Sequence, residues 1–267
     1  MSKILSEELK QLETEISQLK KQLFIEMITE GVDDPGILKC VFLAGGPGSG
    51  KSFTANEIFG VGKGAFNSVS AGGLKIVNSD SAFENALKKY GISPKDLGKI
   101  DQNSDMWDMV AGEDNPNSIR NKAKSITKQQ QAFYEAGRLG MIIDGTGDEV
   151  MKIKKKVEHA EALGYDCYMV FVNTSLEVAQ ARNKKRDRTL PEDLVTTIWK
   201  ACQENLGKFQ TMFSGRFVIV DNTEYKPVAS SVQKQVDSFL RKPIYNQIGK
   251  KWITTARMLK NLNLIKK

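Results

Sequence analysis

The residues best suited to chemistry in this sequence form one glycine-rich segment, GGPGSGKS, at positions 45–52. The spacing matches G-x-x-x-x-G-K-[ST], in which backbone N–H groups of a curled turn point at phosphate oxygens. In that pattern Lys51 reaches the β- and γ-phosphates, and the Ser52 hydroxyl is a ligand of Mg²⁺. An apolar stretch precedes the segment and a helical pattern follows it, as a phosphate loop requires. We therefore predict an ATP and Mg²⁺ site formed by Gly45, Gly46, Pro47, Gly48, Ser49, Gly50, Lys51, Ser52 and Phe53.

Two aspartates follow other apolar stretches, Asp80 in IVNSDS and Asp144 in IIDGTGDE. Ligands of open α/β sheets bind at the carboxyl ends of the strands, so both aspartates are expected near the phosphate loop. Asp80 could accept the proton of an attacking hydroxyl, as a general base does in phosphoryl transfer; the alternative is that it caps the next helix. Asp144 is predicted to organise Mg²⁺ through water or to orient Ser52, with a turn-forming Asp-Gly as the alternative.

The segment ARNKKRDRTLP, which ends at Pro191, is rich in cations. Arg182 and Arg186 are four residues apart and are expected to share one helical face. Guanidinium groups stabilise the charge on a transferring phosphoryl group, so we predict an arginine-bearing lid; a solvated basic helix is the alternative. Earlier in the chain, Arg120, Lys124 and Lys128 recur every four residues. They predict either a phosphate-binding stripe for the substrate or ordinary surface charge.

The elements that position these residues begin with five short apolar runs: 39–44, 74–78, 141–143, 167–172 and 217–220. Helical patterns separate the runs from one another. Short buried strands that alternate with helices predict an α/β fold with a parallel, doubly wound sheet and helices on both faces. Residues 101–118 are polar and predict a long loop of the kind that contacts substrates. The only histidine, His159, lies in a charged helical pattern, which argues against zinc or histidine nucleophile chemistry.

Both ends of the chain differ from this central part. Residues 3–28 carry leucine and isoleucine at heptad spacing, which predicts a long amphipathic helix over 1–31. This helix either forms a coiled coil that dimerises the protein or docks on a partner, or it packs on its own domain. A turn-rich linker follows, and the kinase-like domain is predicted over 36–241. Residues 242–267 predict a basic helical tail.

Composition excludes several classes of protein. The 267 residues carry a formal charge of +7, which suits a phosphorylated substrate or nucleic acid but identifies no partner. The three cysteines are too scattered for a disulfide framework or a zinc site, so a reducing cytoplasmic setting is expected. No run approaches the ~18 apolar residues of a membrane helix, so we expect no membrane partner.

The phosphate loop, the strand-ending NSD, and RNKKR followed by Pro191 and a helix together resemble the P-loop kinases that include phage polynucleotide kinase and the zeta-toxin family. The resemblance covers about residues 39–222. It implies a P-loop kinase fold with strand order 2-3-1-4-5, with Asp80 as the general base and Arg182 and Arg186 as lid arginines. It also implies that Asn222 and Thr223 lie where such kinases cradle adenine, although a simple turn explains these residues equally well.

The sequence departs from this family at Phe83. In polynucleotide kinase an arginine stands three positions after the catalytic aspartate and helps to hold the substrate phosphate. This difference weakens a strict polynucleotide 5′-hydroxyl kinase assignment and leaves Arg120 and Lys124 as substitutes.

These observations predict transfer of the γ-phosphate of ATP to a hydroxyl of a nucleotide, a sugar nucleotide or a nucleic-acid end. The alternative is a nucleotide-binding structural or adaptor protein that uses its termini to join an assembly. An ATPase motor or switch ranks last, because no apolar run ends convincingly in Asp-Glu.

Overall fold

In the computed structural model, the described residues are Thr14, 31–61, 69–101, 103–186, 189–224 and 226–262. The predicted N-terminal amphipathic helix, and with it the proposed dimerisation, lies outside them except for Thr14 and Gly31. None of the helices in these described ranges combines the length and the apolar character needed to cross a bilayer.

Five parallel strands form one sheet in the order β2-β3-β1-β4-β5. Their bounds are β1 Lys39–Ala44, β2 Lys75–Val77, β3 Met141–Asp144, β4 Asp166–Asn173 and β5 Phe217–Asp221. Every residue of β1 is buried, as is nearly all of β4, because helices cover both faces of the sheet centre. The predicted fold class and the strand order implied by the resemblance are confirmed.

Nine α-helices occur in the described part of the chain. They are α1 Lys51–Phe59, α2 Ser79–Lys89, α3 Asp105–Ala111, α4 Ile119–Ala136, α5 Val150–Ala162, α6 Leu176–Lys184, α7 Glu192–Phe213, α8 Ser230–Arg241 and α9 Gln247–Asn261. Two short 3₁₀ helices, Gly31–Asp33 and Pro94–Lys99, complete the set.

The apolar core is divided between the two faces of the sheet. Helices α5 and α7 contribute to a cluster on one face, through residues such as Val157 and Phe209. Helices α1 and α8 contribute to a cluster on the other face, through residues such as Phe59 and Val236. A third and smaller cluster lies apart from the sheet centre, where α2, α3 and α4 meet: Phe83, Leu87, Leu97, Val110, Ile119 and Ala123.

The segment 101–118 is not the continuous loop that its polar composition predicted. Ser104 accepts a hydrogen bond from the backbone N–H of Trp107 at 3.2 Å, and this cap starts the short helix α3. Helix α3 then packs Val110 into the third cluster. A side-chain cap and one buried contact therefore convert part of a polar segment into structure.

The C-terminal helix α9 is fixed to the amino end of the sheet. The backbone N–H groups of Tyr245 and Asn246 donate to the Asp166 carboxylate at 3.1 and 3.0 Å. The same carboxylate forms a buried ion pair with Lys39 at 3.0 Å. Helix α9 is the predicted C-terminal helical element, and it packs Trp252 and Ile253 against the core.

Candidate active site

The segment Gly45–Ser52 joins the end of β1 to α1, and its backbone conformation requires glycine. Gly45, Gly48 and Gly50 have φ values of 154°, 77° and 87°, which other residues rarely adopt. Packing restricts the same positions. A Cβ atom at Gly48 would lie 2.2 Å from the Ala179 carbonyl oxygen, and one at Gly50 would lie 2.1 Å from Asn222 Nδ2. The glycines therefore allow both the curl of the loop and its close contact with α6 and the end of β5.

Asn222 is hydrogen-bonded to this loop. Its Nδ2 atom donates to the Ser49 carbonyl oxygen at 2.7 Å, and its backbone N–H donates to the Asn173 carbonyl at 2.9 Å. The residue is only 4% exposed. The adenine-cradling position expected for Asn222 does not fit this burial, because the side chain faces the loop backbone. Its geometry is that of a residue that positions the loop.

Two cationic side chains approach the loop. Lys51 Nζ donates to the Gly45 carbonyl oxygen at 2.6 Å, so the ammonium group lies across the loop. Arg182 NH1 would lie 3.6 Å from a Cβ atom built on Gly50. This nitrogen is buried and has no hydrogen-bond partner among the described residues. A buried donor without a partner costs free energy, and an anionic oxygen at the loop would satisfy it. The site therefore fits a bound phosphate.

Arg186 is placed differently from Arg182. Helix α6 ends at Lys184, and the Arg186 N–H donates to the Asn183 carbonyl at 3.1 Å in the turn that follows. The predicted shared helical face is therefore wrong, and Arg186 is exposed. The buried Asn183 side chain is bonded to both backbone groups of Leu190, at 2.7 and 3.1 Å. It thereby ties the two ends of the basic segment together.

Asp144 lies at the carboxyl end of β3, opposite Leu43 of β1. Its Oδ2 atom accepts a hydrogen bond from Asn78 Nδ2 at 2.9 Å, whereas Oδ1 is buried without a partner in the described part of the chain. Burial raises the pKa of this carboxyl above its usual value; Lys51 opposes the rise and Asp80 adds to it. An unpartnered carboxylate oxygen beside the loop, with the exposed Ser52 hydroxyl at the start of α1, fits the oxygen ligands that Mg²⁺ prefers.

Asp80 lies in the first turn of α2, and Asn78 rather than Asp80 caps that helix. The Asp80 backbone N–H donates to Asn78 Oδ1 at 2.8 Å. The capping alternative for the Asp80 side chain is therefore wrong. Its carboxylate accepts a hydrogen bond from Arg120 NH1 at 2.9 Å, with the two side chains 47% and 25% exposed respectively. Asp80 thus presents a partly exposed carboxylate beside a guanidinium group.

The three cations of α4 that were predicted to form a stripe, Arg120, Lys124 and Lys128, have different surroundings in the structure. Arg120 lies over the Phe83 ring at 5.0 Å from its centroid. Lys124 instead lies 3.8 Å from the exposed Glu113, and Lys128 is also exposed. Of the three cations, only Arg120 contacts Asp80 in the described part of the chain.

A cleft of about 730 Å³ opens beside Arg120. Its lining comes from α2, α3, α4, the start of α7 and the segments next to them: Phe83, Leu97, Ile100, Trp107, Ala111, Glu113, Arg120, Thr189, Leu190, Pro191 and Leu194. Trp107 belongs to the segment 101–118 that was predicted to contact substrates, whereas Leu194 was not assigned to a site. A tryptophan within this mostly polar segment is the signal that could have identified Trp107.

Two other groups belong to the charged helix α5. His159 is exposed, and its Nε2 lies 3.0 Å from a Glu135 carboxylate oxygen. Lys156 is half-buried, and burial lowers its pKa. Within the described ranges no three or more His, Cys, Asp and Glu residues form a cluster that could hold a metal.

Several solved structures resemble the fold at low sequence identity. One is a complex of AvrRxo1-ORF1 and AvrRxo1-ORF2 with sulphate ions: TM-score 0.46, 12% identity, covering 80% of this chain and 64% of that one. Another is a putative kinase from Chloroflexus aurantiacus: TM-score 0.47, 10% identity, covering 75% of this chain and 97% of that one. A third comes from the PezAT toxin-antitoxin system of Streptococcus pneumoniae: TM-score 0.42, 16% identity, covering 85% and 87%.

A comparison with curated proteins gave no match. A comparison with family models gave one, the AAA domain, over residues 41–209, which include most of β1, the phosphate loop, Asp80, Asp144, Arg182 and Arg186. The match covers more than half of the chain and contains the P-loop described above. The protein therefore belongs to the AAA domain family of P-loop proteins.

Proposed function

We propose that the protein is an ATP-dependent phosphotransferase that moves the γ-phosphate of ATP to a hydroxyl group of a nucleotide, a sugar nucleotide or a nucleic-acid end. One observation carries the proposal: the P-loop, with its lysine and the buried Arg182 nitrogen, lies at the same edge of the sheet as the partly exposed Asp80 carboxylate, and Lys51 and Asp80 both influence the pKa of Asp144 on the strand between them. A donor site and an acceptor-activating group thus occur at one edge of the sheet. The catalytic unit in this proposal is residues 36–241.

On the donor side, the loop amides of 45–53 and Lys51 bind the ATP phosphates, and Arg182 donates to the transferring phosphoryl group. Arg182 is suited to this role because its NH1 atom has no other partner among the described residues. Ser52 and Asp144 would hold Mg²⁺, which when bound neutralises charge on the β- and γ-phosphates. Arg186, being exposed after α6, would reach the phosphates only as part of a lid.

On the acceptor side, Asp80 takes the proton of the attacking hydroxyl as a general base. Arg120 holds that carboxylate in place through a bond of 2.9 Å, and it lines the cleft in which the acceptor would lie. A negatively charged group on the acceptor would bind Arg120, so a phosphorylated acceptor is favoured. Lys124 contributes less, since it is paired with Glu113 on the surface.

Transfer of labelled γ-phosphate from ATP to a panel of nucleosides, sugar nucleotides, and DNA and RNA ends tests this proposal. We expect ADP and a labelled phosphomonoester with at least one acceptor class. Asp80→Asn should lower the rate by roughly 10²–10⁴-fold, the usual contribution of a general base, while ATP binding is retained. Asp237→Asn, at an exposed position of α8, is the matched control and should transfer phosphate normally.

The competing functions give different results in the same assay. ATP binding without ADP formation on any acceptor would identify a nucleotide-binding adaptor. ADP formation that needs no acceptor and persists in Asp80→Asn would identify an ATPase. Either result would overturn the proposed transfer.

A further inference from the structure

The cleft beside Arg120 has an uneven distribution of apolar and polar residues. Eight of its lining residues are apolar, and Trp107 and Ala111 from α3 are accompanied by Leu190, Pro191 and Leu194 from the start of α7. Leu194 is 43% exposed, and together with the other apolar lining residues it gives the cleft a continuous apolar wall rather than a single exposed side chain. Indole and proline rings present flat apolar surfaces, on which planar rings stack well.

The polar residues of the cleft are few and differ in position. Only Glu113, Arg120 and Thr189 among the lining residues carry polar side chains. Glu113 is 84% exposed and is paired with Lys124, so it belongs to the solvent side. Arg120 is bonded to Asp80 and is the one cation among the lining residues described. The charged end of the cleft is therefore the end beside the proposed base.

These features disfavour a polyol or a sugar acid as acceptor. Such molecules carry several hydroxyl groups, and each one that is buried against leucine, isoleucine or tryptophan without a hydrogen bond costs free energy. A flat ring would instead cover the apolar walls, and a single anionic group would bind Arg120. The cleft has a volume of about 730 Å³, which is in the usual range for small-molecule ligands. One such molecule could therefore contact both the apolar walls and the Arg120 guanidinium group.

We infer that the acceptor is an alcohol built on a flat, largely apolar ring system with one anionic group, and that Trp107 determines this specificity. The ring lies between α3 and the Leu190–Leu194 wall, and the anionic group lies at Arg120. The inference rests on the proposed phosphotransferase function and adds the chemical class of the acceptor. Trp107 has no part in the chemistry itself, because its role is to bind the ring.

Binding can be measured without ATP, from the fluorescence of Trp107. The probes are a nucleoside 3′-monophosphate and a nucleoside 5′-monophosphate, which carry ring and phosphate, the parent nucleoside, ribose 5-phosphate, and gluconate. At least one nucleoside monophosphate should quench the fluorescence saturably, with an affinity about 5- to 150-fold above that of ribose 5-phosphate, the range given by one base–aromatic stack. Trp107→Phe should abolish most of the signal, since Trp199 and Trp252 lie outside the cleft lining.

Two variants separate the contributions of ring and anion, with affinity measured by equilibrium dialysis. Trp107→Ala should lower the affinity for the nucleoside monophosphate until it is close to the affinity for ribose 5-phosphate. Trp107→Phe, which keeps an aromatic ring, should retain most of the difference between the two affinities. Arg120→Met should reduce the preference for the monophosphate over the nucleoside. Equal affinities for ribose 5-phosphate and the nucleoside monophosphates in the intact protein, or tighter binding of gluconate, would overturn the inference.

The same probes distinguish this inference from the proposed function. Ring-dependent binding without phosphate transfer would leave the acceptor class intact and refute the phosphotransferase. Transfer to ribose 5-phosphate or gluconate at rates equal to those for nucleoside monophosphates would refute the acceptor class and support the phosphotransferase.

Discussion

The phosphate loop is fixed by backbone geometry, whereas the cleft beside Arg120 is lined mainly by side chains from four helices. In the loop, glycines with positive φ lie against the backbone of α6 and against Asn222, so almost any side chain would collide. In the cleft, Phe83, Trp107, Arg120 and Leu194 come from separate elements that meet over a small core of their own. Substitutions in the phosphate loop should therefore disturb its backbone, whereas single side chains of the cleft can be replaced one at a time.

The largest effect on ATP binding is expected from Gly48→Ala. The new Cβ atom would lie 2.2 Å from the Ala179 carbonyl oxygen at a φ of 77°. Backbone strain alone costs about 1–3 kcal/mol, and the free loop relieves it by leaving the curled conformation that binds phosphate, so the Kd for ATP should rise by up to roughly 5- to 150-fold. The collision adds to this cost. Isothermal titration with ATP measures the change.

Gly207→Ala provides the control for that substitution. Gly207 lies within α7, where a Cβ atom meets nothing within 4 Å. Alanine there should raise the free energy of unfolding by up to about 1 kcal/mol, because it restricts the unfolded chain and favours the helix. If both variants bound ATP equally well, the loop would not depend on its backbone geometry in the way described.

Asn222→Ala should weaken ATP binding less than Gly48→Ala does. Removing the amide leaves the Ser49 carbonyl oxygen without its 2.7 Å hydrogen bond, and an unsatisfied buried acceptor costs about 1–3 kcal/mol. Part of that cost falls on stability and part on ATP binding, so thermal unfolding and titration should be measured together. Asn261→Ala, at the exposed end of α9, should change neither. A normal Kd with normal stability would remove Asn222 from the support of the loop.

Replacing Asp144 should have a smaller effect, a change in how the free energy of unfolding depends on pH. Burial raises its pKa in the folded state, so the native protein binds this proton more tightly than the unfolded chain does. Its contribution to stability is therefore greatest at low pH and declines as the pH rises from the unfolded-state pKa through the raised folded-state pKa. Asp144→Asn should abolish that decline and raise stability at neutral pH, while it weakens the response of activity to Mg²⁺. Urea unfolding across this pH range measures the first effect, and an unchanged profile would contradict the placement of the carboxyl.

The same contrast explains what the sequence could and could not predict. The loop, the five strands and their connections follow from local patterns, because a glycine spacing and short apolar runs each specify their own conformation. Asn222 is 173 residues from the Ser49 carbonyl that it binds, and no local signal indicates that contact. Likewise, Arg120 lies forty positions from Asp80, and only the packing of α2 against α4 brings them together.

Two expectations from the sequence were wrong at places where a helix begins or ends. The spacing of Arg182 and Arg186 implied a common face, but α6 stops at Lys184. The polar segment before α4 suggested a loop, but the Ser104 cap and buried Val110 made a helix. Helix ends depend on caps and tertiary contacts of small free energy, so periodicity alone does not determine them.

The smallest effect is expected from Lys124→Ala, and it tests the division of the α4 stripe. Lys124 and Glu113 form a pair at 3.8 Å with both side chains well exposed, so solvent and salt screen their attraction. Such surface pairs contribute about 0–1 kcal/mol, and we expect no more than about a twofold change in the KM for any acceptor. Arg120→Ala should raise that KM far more, because Arg120 contacts the Asp80 carboxylate and lines the cleft. Equal losses in both variants would mean that the acceptor anion binds along the whole face of α4, and the cleft would then be only one part of a wider surface.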